Sequence, residues 1–314
     1  MNLGVPKAAG LRPAIRSIFA YVLGDDDDAI PMLPAGLPDP VRQVAAEAVN
    51  RLIDYQGPGY AQLYVARLRR FIGRRDIDDA MFAEIARLMV VRMAYDDAIR
   101  MAQLKLAEAE AGRGVAPDDV RKLRLDELVS LLPKKVADHA LRILKYLGWL
   151  HLPVTMRFSA ASRLRRRRLR IEASFKRWRL SSVRYATERV WVERWLHMID
   201  RSLTKQPAAV ATVVATAEMV RGDGDGYARS LRDWNLIVDH LIKPTLDGAL
   251  SCPDLAGAIT EARAAVSSDP RQETLERVIA RIRERASAGA ARPILTFASR
   301  CGREFLQMLE SKDH

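Results

Sequence analysis

From Asp39 onward the apolar positions of this chain recur at helical intervals. Val41, Val44, Ala45, Val49, Leu52 and Ile53 form one stripe, the spacing that turns a single side of a helix toward a core. Asp39 is placed to cap this helix, and Pro40 suits a first position where no amide hydrogen is needed. Gln56-Gly57-Pro58-Gly59 ends it, and Tyr60, Leu63, Tyr64, Leu68 and Phe71 mark a second helix. A third, long helix is predicted from Asp78 to Ala111. It turns Phe82, Ile85, Leu88, Met89, Arg92, Tyr95, Ile99 and Ala102 inward and stops at Gly112-Arg113-Gly114. The polar stretch from Asp118 to Glu127 reads as a short helix or turn. LVSLLPKKVADHALRILKYLGWL (128–150) reads as two apolar helical pieces joined at Pro133 and ended by Gly148. HLPVTMRF (151–158) alternates at Val154, Met156 and Phe158 and is the strand candidate.

Helical spacing resumes over 161–179, 184–203, 208–220, 228–242, 253–266 and 270–285. Asp269, Pro270 and Gln272 give the last of these a cap, a first position and a capping-box partner. The small-residue break SAGAARP (287–293) precedes an amphipathic piece with Leu295, Phe297, Phe305, Leu306 and Leu309. Before residue 40, the apolar IRSIFAYVL (15–23) is followed by Asp25 to Asp28 and a run of prolines. Consecutive carboxylates point in different directions, whereas cation loops space their ligands around a glycine, so this is an acidic turn before an extended linker. The expected organisation is an N-terminal segment and Pro-rich linker (1–39), a helical domain (40–286), and the break with its C-terminal helix (287–314). No period of 20–50 residues repeats, which argues against a solenoid. The fold class expected is mainly α, a layered helical domain with at most a minor short β element.

Composition agrees with a globular helical protein: 314 residues, 49% hydrophobic, rich in Ala, Leu and Arg. Cys252 and Cys301 are too few and too far apart for an iron–sulfur cluster, a four-cysteine zinc site or a disulfide framework. A reducing, cytoplasmic setting follows as the expectation. No signal-peptide pattern opens the chain, and its longest weakly polar stretch, 207–220, is too short to span a bilayer. The expected protein is soluble and has no membrane partner. The net charge of +12 implies an acidic partner or a field that repels other copies of the chain, and whether it marks nucleic acid depends on where the charge sits.

VRGDGDGYARSLRDW (220–234) poses a specific question, because Gly-Asp-Gly opens the thiamine-diphosphate site of enzymes whose aspartate holds Mg²⁺. Such a site needs an asparagine well downstream. Here Asn235 follows too soon and no asparagine comes after it. A dinucleotide loop fails as well, since no strand precedes the glycines and the third is misplaced. The stretch reads as a helix end at Arg221, a turn in which Gly222, Gly224 and Gly226 permit positive φ, and a new helix capped near Asp225. Clustered amides beside Arg221 and Arg229 remain a candidate anion site.

RLRRRRLRIEASFKRWRLSSVR (163–184) holds ten Lys or Arg against one Glu. On a helix, Leu164, Ile171, Phe175 and Trp178 make a narrow seam, while Arg165, Arg166, Arg167, Arg168, Arg170, Lys176, Arg177 and Arg179 take the other faces. Three readings stand: a solvated basic helix docked by that seam, a surface for an acidic protein or phosphorylated ligand, or a nucleic-acid surface. Helix-turn-helix, zinc-finger and aromatic RNA-binding motifs are missing. Trp178, Trp191 and Trp195 fall at helical spacing and read as core. His139 and His197 lie within amphipathic helices and read as structural. Nucleophile-elbow and phosphate-loop motifs are absent, and Asp96-Asp97 and Glu108/Glu110 pair only in sequence.

RLIDYQGPGYAQLYVARL (51–68), ARLMVVRMAYDDAIRMAQLK (86–105), FKRWRLSSVRYATERVWVERWL (175–196) and RGDGDGYARSLRDW (221–234) occur in this order. With them the chain resembles the C-terminal helical region of the indolepyruvate oxidoreductase beta-subunit family and of indolepyruvate ferredoxin oxidoreductases, over roughly residues 40 to 250. Gly222, Gly224, Asp225 and Arg229 match that family's turn, whereas Gly226 replaces a Thr and Ser230 a Gly. Met93-Ala94-Tyr95 before an acidic pair, and Tyr55 before Gln56, also fit. The resemblance implies a part of a machine that oxidatively decarboxylates aryl-pyruvates to acyl-CoA. Thiamine diphosphate, CoA and iron–sulfur clusters are then expected only in partner subunits, because the cofactor residue pair and cluster cysteines are missing here. It implies a non-catalytic accessory domain or subunit whose basic face receives an acidic subunit, a ferredoxin or the phosphates of CoA. A basic helical nucleic-acid-binding protein is the alternative.

Overall fold

The computed structural model describes residues 30–111, 118–222, 224–266 and 274–288. The N-terminal acidic turn, the 112–114 stop, the Asp269 start signal and the 295–309 piece lie outside them. The fold is mainly helical with one small sheet. It divides into two compact units, one holding the described residues up to Arg194 with Gly224 and Asp225, the other the remainder.

In the first unit, α1 (Asp39–Tyr55), α2 (Pro58–Leu68) and α3 (Asp79–Met93) pack together. α1 buries Val41, Ala45, Val49 and Leu52 as the stripe predicts, with Ala48 and Tyr55 added. It begins at Asp39, so Asp39 lies in the first turn instead of capping it. Two tyrosines of α2 bond backbone carbonyls of the α3 segment: Tyr60 Oη donates to Met93 O at 3.0 Å, and Tyr64 Oη to Ala86 O at 3.2 Å.

The long helix predicted from Asp78 to Ala111 is in fact two. The chain leaves α3 at Ala94, and α4 (Ala98–Glu110) starts afresh with Asp97 as its cap, accepting from Arg100 N at 2.6 Å. An aspartate that serves an N-cap cannot also sit within a continuous helix, and that local bond competes with the helical pattern.

The predicted strand exists as β2 (Pro153–Phe158), antiparallel to β1 (Asp119–Arg124) with Leu123 opposite Val154. β1 takes residues 119–124 of the stretch predicted as a short helix or turn, whose end from Leu125 is helical. Between the strands, α5 (Leu125–Ser130) and α6 (Lys134–Tyr146) are joined through Pro133, and Gly148 at φ +71° ends α6. Leu123 and Phe158 form a small core with Ala98 and Ala102 of α4 and Leu169 of α7 (Arg163–Ser174). α8 (Lys176–Arg179) and α9 (Val183–Lys205) follow.

The second unit is a more apolar core. Trp195 donates to Val214 O at 3.2 Å, and Trp234 to Thr216 Oγ1 at 3.1 Å, so each indole meets its polar need inside the core. The predicted helix 208–220 is broken into a 3-10 turn, α10 (Val210–Ala215) and a second 3-10 turn. The predicted helix 228–242 is longer: α11 (Gly224–Ile237) passes through a π turn at Val238–Ile242 into α12 (Lys243–Asp247). Pro244 lacks the amide hydrogen that a regular ladder would use, which fits the wider turn just before it. Gly248 closes α12 in the left-handed region, and α13 (Leu255–Val266) and α14 (274–288) complete the described chain. No helix among the described residues is long and apolar enough to cross a membrane.

Candidate functional site

The basic run divides by what its side chains do. Ser162 caps α7, its hydroxyl accepting from Arg165 N at 3.3 Å. Three arginines bond their own surroundings: Arg165 reaches Ser159 Oγ at 3.1 Å, Arg166 reaches Ala160 O at 2.8 Å, and Arg168 pairs with Glu172 at 2.7 Å. Arg163, Arg167 and Arg170 are exposed. The seam expected to dock this helix does not. Leu169 is the buried leucine, whereas Leu164 is 77% and Ile171 54% exposed. The docked line is Leu169 with Ala173, because those positions face Phe158 and the small Ala98 and Ala102 of α4. At 100° per residue, Leu164 and Ile171 fall on one line on the far side of α7, flanked by Arg167 and Arg168. Trp178, expected in the core, adds a half-exposed indole just beyond α7.

Lys176 and Arg179, candidates for the same surface, turn inward instead. Arg179 is 1% exposed and lies over the Tyr55 ring at 4.0 Å. It grips Asp97 with two bonds of 3.0 and 2.9 Å and donates to Tyr55 O at 2.8 Å and Gln56 Oε1 at 3.1 Å. A planar guanidinium suits this combined stacking and forked bonding. Lys176 donates to Asp54 O at 3.1 Å, and burial lowers its pKa below the usual lysine value. The side chain of Arg177 lies outside the described structure.

A second buried charge line runs beside this node. Arg92 donates to Glu188 at 2.9 Å, and Arg184 holds the other Glu188 oxygen at 3.2 Å. Arg92 lies 4.9 Å from the Trp191 ring centroid and Arg184 5.3 Å from that of Tyr95. Asp96, Asp97, Glu127 and Arg184 line a cavity floored by Leu123, Leu128 and Phe158. Its free space is about 20 Å³, room for a water-sized molecule and not for an aryl-pyruvate.

At the Gly-Asp-Gly stretch, Gly222 takes φ +91°, as the turn requires. α11 starts at Gly224, so Asp225 lies in its first turn and is not the cap. The Asp225 carboxylate pairs with Arg124, which also grips Asp126 and meets His151. An acidic oxygen already faces that arginine, which disfavours an anion there. Arg221 is exposed and Arg229 half-buried. Ser230 Oγ accepts from Arg221 N at 3.2 Å and donates to Arg221 O at 3.0 Å, so this serine staples the turn. His139 and His197, read as structural, are exposed on their helices. Cys252 is buried, and burial pushes its thiol away from the reactive thiolate. No group of three or more His, Cys, Asp or Glu placed to hold a metal occurs among the described residues.

Sequence reasoning missed the outward side of α6, where Val136, Ile143 and Tyr146 are exposed. The signal was present in KKVADHALRILKY, a helix with basic and apolar sides sharply divided.

Residues 41–240 match the model of a family of unknown function, DUF6537, and the chain belongs to that family. The match itself names no oxidoreductase. No curated protein and no solved structure matches the chain.

Proposed function

We propose that this family member is a non-catalytic accessory domain or subunit of an indolepyruvate-type 2-oxoacid oxidoreductase, and that it holds an acidic partner protein on the outer side of α7. The observation that carries the reading is the exposure of Leu164, Ile171 and Trp178 beside Arg163, Arg167 and Arg170. Apolar anchors rimmed by arginine make a protein-binding patch: burial of the anchors gives affinity, and the charges steer an acidic surface into register. The internal pairing of Arg124 and Arg179 leaves the outward arginines of α7 as the cations that a partner can reach, which supports a binding role. Thiamine diphosphate, CoA and the iron–sulfur clusters belong to the partner in this reading.

The test is co-purification of the tagged chain from its native host. An acidic oxidoreductase subunit or ferredoxin should be recovered with the native chain and lost with Arg167→Glu/Arg170→Glu/Trp178→Ala. Equal recovery from both would sink the proposal. The exposed arginines also favour a second reading, nucleic-acid binding. Duplex and single-stranded DNA titrated at several salt concentrations separate the two, since phosphate contacts release counterions and binding then falls steeply with salt. Leu164 and Ile171 weigh against it, because an aliphatic pair gains nothing from a phosphate backbone.

A further inference from the structure

The molecule exposes a second amphipathic side, on α6. Ala137 of this helix is fully buried, and Leu141 and Leu144 are half-buried, so one part of its apolar side packs inward. The other part does not. Val136, Ile143 and Leu147 are spaced i, i+7, i+11, fall on one line and are all exposed. Tyr146, 90% exposed, lies alongside, and Trp149 follows beyond Gly148. Lys135 and Arg142 are exposed on the side of the line that carries Tyr146, while Lys134 is paired with Asp138 at 2.8 Å.

The surface is held firmly. Lys134 N donates to Ser181 O at 3.0 Å at one end of α6, and Trp149 N donates to Leu144 O at 2.9 Å at the other. The 150–152 loop is fixed by Leu125 N to Leu152 O at 3.0 Å and Asp126 N to Leu150 O at 3.1 Å. An anchored surface gives up little freedom on binding.

We infer that α6 is a docking surface for an amphipathic helix of a partner protein, with acidic residues flanking its apolar ridge. Charge selects this occupant. A second copy would set Lys135 and Arg142 against cations of its own kind, in a chain of net charge +12. The uncovered apolar line is also narrow, since half of the apolar side is already packed inward. It fits the i, i+4, i+7 ridge of a helix better than the broad contact that interfacial burial in a bilayer needs. The inference rests on the reading of this chain as an interaction module but uses an element separate from α7.

The probe is a synthetic helical peptide of Leu and Glu, compared with its Leu and Lys counterpart and with phosphatidylserine–phosphatidylcholine vesicles. Binding to the full chain is followed by anisotropy and by hydrogen exchange. The acidic peptide should protect 134–149, with affinity falling by roughly tenfold or more in Ile143→Ser/Leu147→Ser. Lys135→Glu/Arg142→Glu should reverse the preference toward the lysine peptide, an outcome that a misfolded variant would not give. Protection by vesicles alone, equal binding of both peptides, or dimerisation through 134–149 would overturn the inference. Protection confined to 163–178 would overturn it and leave the α7 reading standing. Absence of protection at 134–149 would overturn the inference, while the α7 reading is decided separately by co-purification.

Discussion

Arg167 and Arg179 come from the same basic run and do opposite things. Arg179 is enclosed, stacked on Tyr55 and locked to Asp97, while Arg167 stands in solvent beside Leu164 and Ile171. The sequence makes both cationic; only the tertiary partner decides whether the charge holds the fold or faces outward. A buried ion pair is costly to break because the surviving charge is left without water or counter-charge. Asp97→Ala should therefore destabilise the protein by about 3–5 kcal/mol in urea unfolding. Arg179→Lys should also fail, since an ammonium can neither fork nor stack in the same way. An unchanged midpoint in Asp97→Ala would show that the node does not hold the fold.

The leucines of α7 sharpen the same contrast. Leu169→Ala removes a buried side chain from the small core around Phe158 and should cost about 2–5 kcal/mol. Leu164→Ala removes one that water already reaches and should stay within about 0.5 kcal/mol. Comparable losses from the two would restore the seam that the sequence pattern suggested.

That seam shows where the sequence was readable and where it was not. The α1 stripe was legible because its apolar residues offer a single face, and Gly148 because a glycine there closes a helix in the left-handed region. On α7 two lines compete, Leu164–Ile171 and Leu169–Ala173, and the choice rests on Ala98 and Ala102 leaving room sixty or more positions away. β1 was hidden because DVRKLR carries its apolar partner across the ladder in Val154. The exposed arginines could be named from the run, whereas the inward turn of Lys176 and Arg179 depends on Asp54 and Asp97, far away in sequence.

The buried tyrosines of the first unit divide in a similar way, with a smaller effect. Tyr60 and Tyr64 donate to backbone carbonyls, so Tyr60→Phe and Tyr64→Phe should each cost about 0.5–1.5 kcal/mol. The hydroxyls of Tyr55 and Tyr95 have no hydrogen-bond partner among the described residues, so Tyr55→Phe and Tyr95→Phe should be neutral or stabilising. Burial raises the pKa of all four above the usual tyrosine value. Above pH about 10 the unfolded chain loses these phenolic protons while the folded chain keeps them. Their contribution is thus fully present below that pH and declines as pH rises. Urea midpoints should fall above pH 10, less steeply in the Tyr55→Phe/Tyr95→Phe variant, and an unchanged slope would contradict the burial.

The smallest expected effect bears most directly on why α7 is basic. The N-terminus of a helix carries the positive end of its dipole, so cations there are unfavourable and carboxylates favourable. α7 opens with Arg163, Arg165 and Arg166 and has no acidic residue in its first turn. Arg163 is exposed, so the folded core does not require its charge. Arg163→Glu should then stabilise the isolated protein by about 0.3–1 kcal/mol at low ionic strength, with the gain shrinking as salt screens the dipole. The same substitution should weaken capture of an acidic partner. A gain in stability coupled to a loss of binding would mean that the arginines are kept at the unfavourable end of α7 for what they bind, and a loss of both would assign them to the fold.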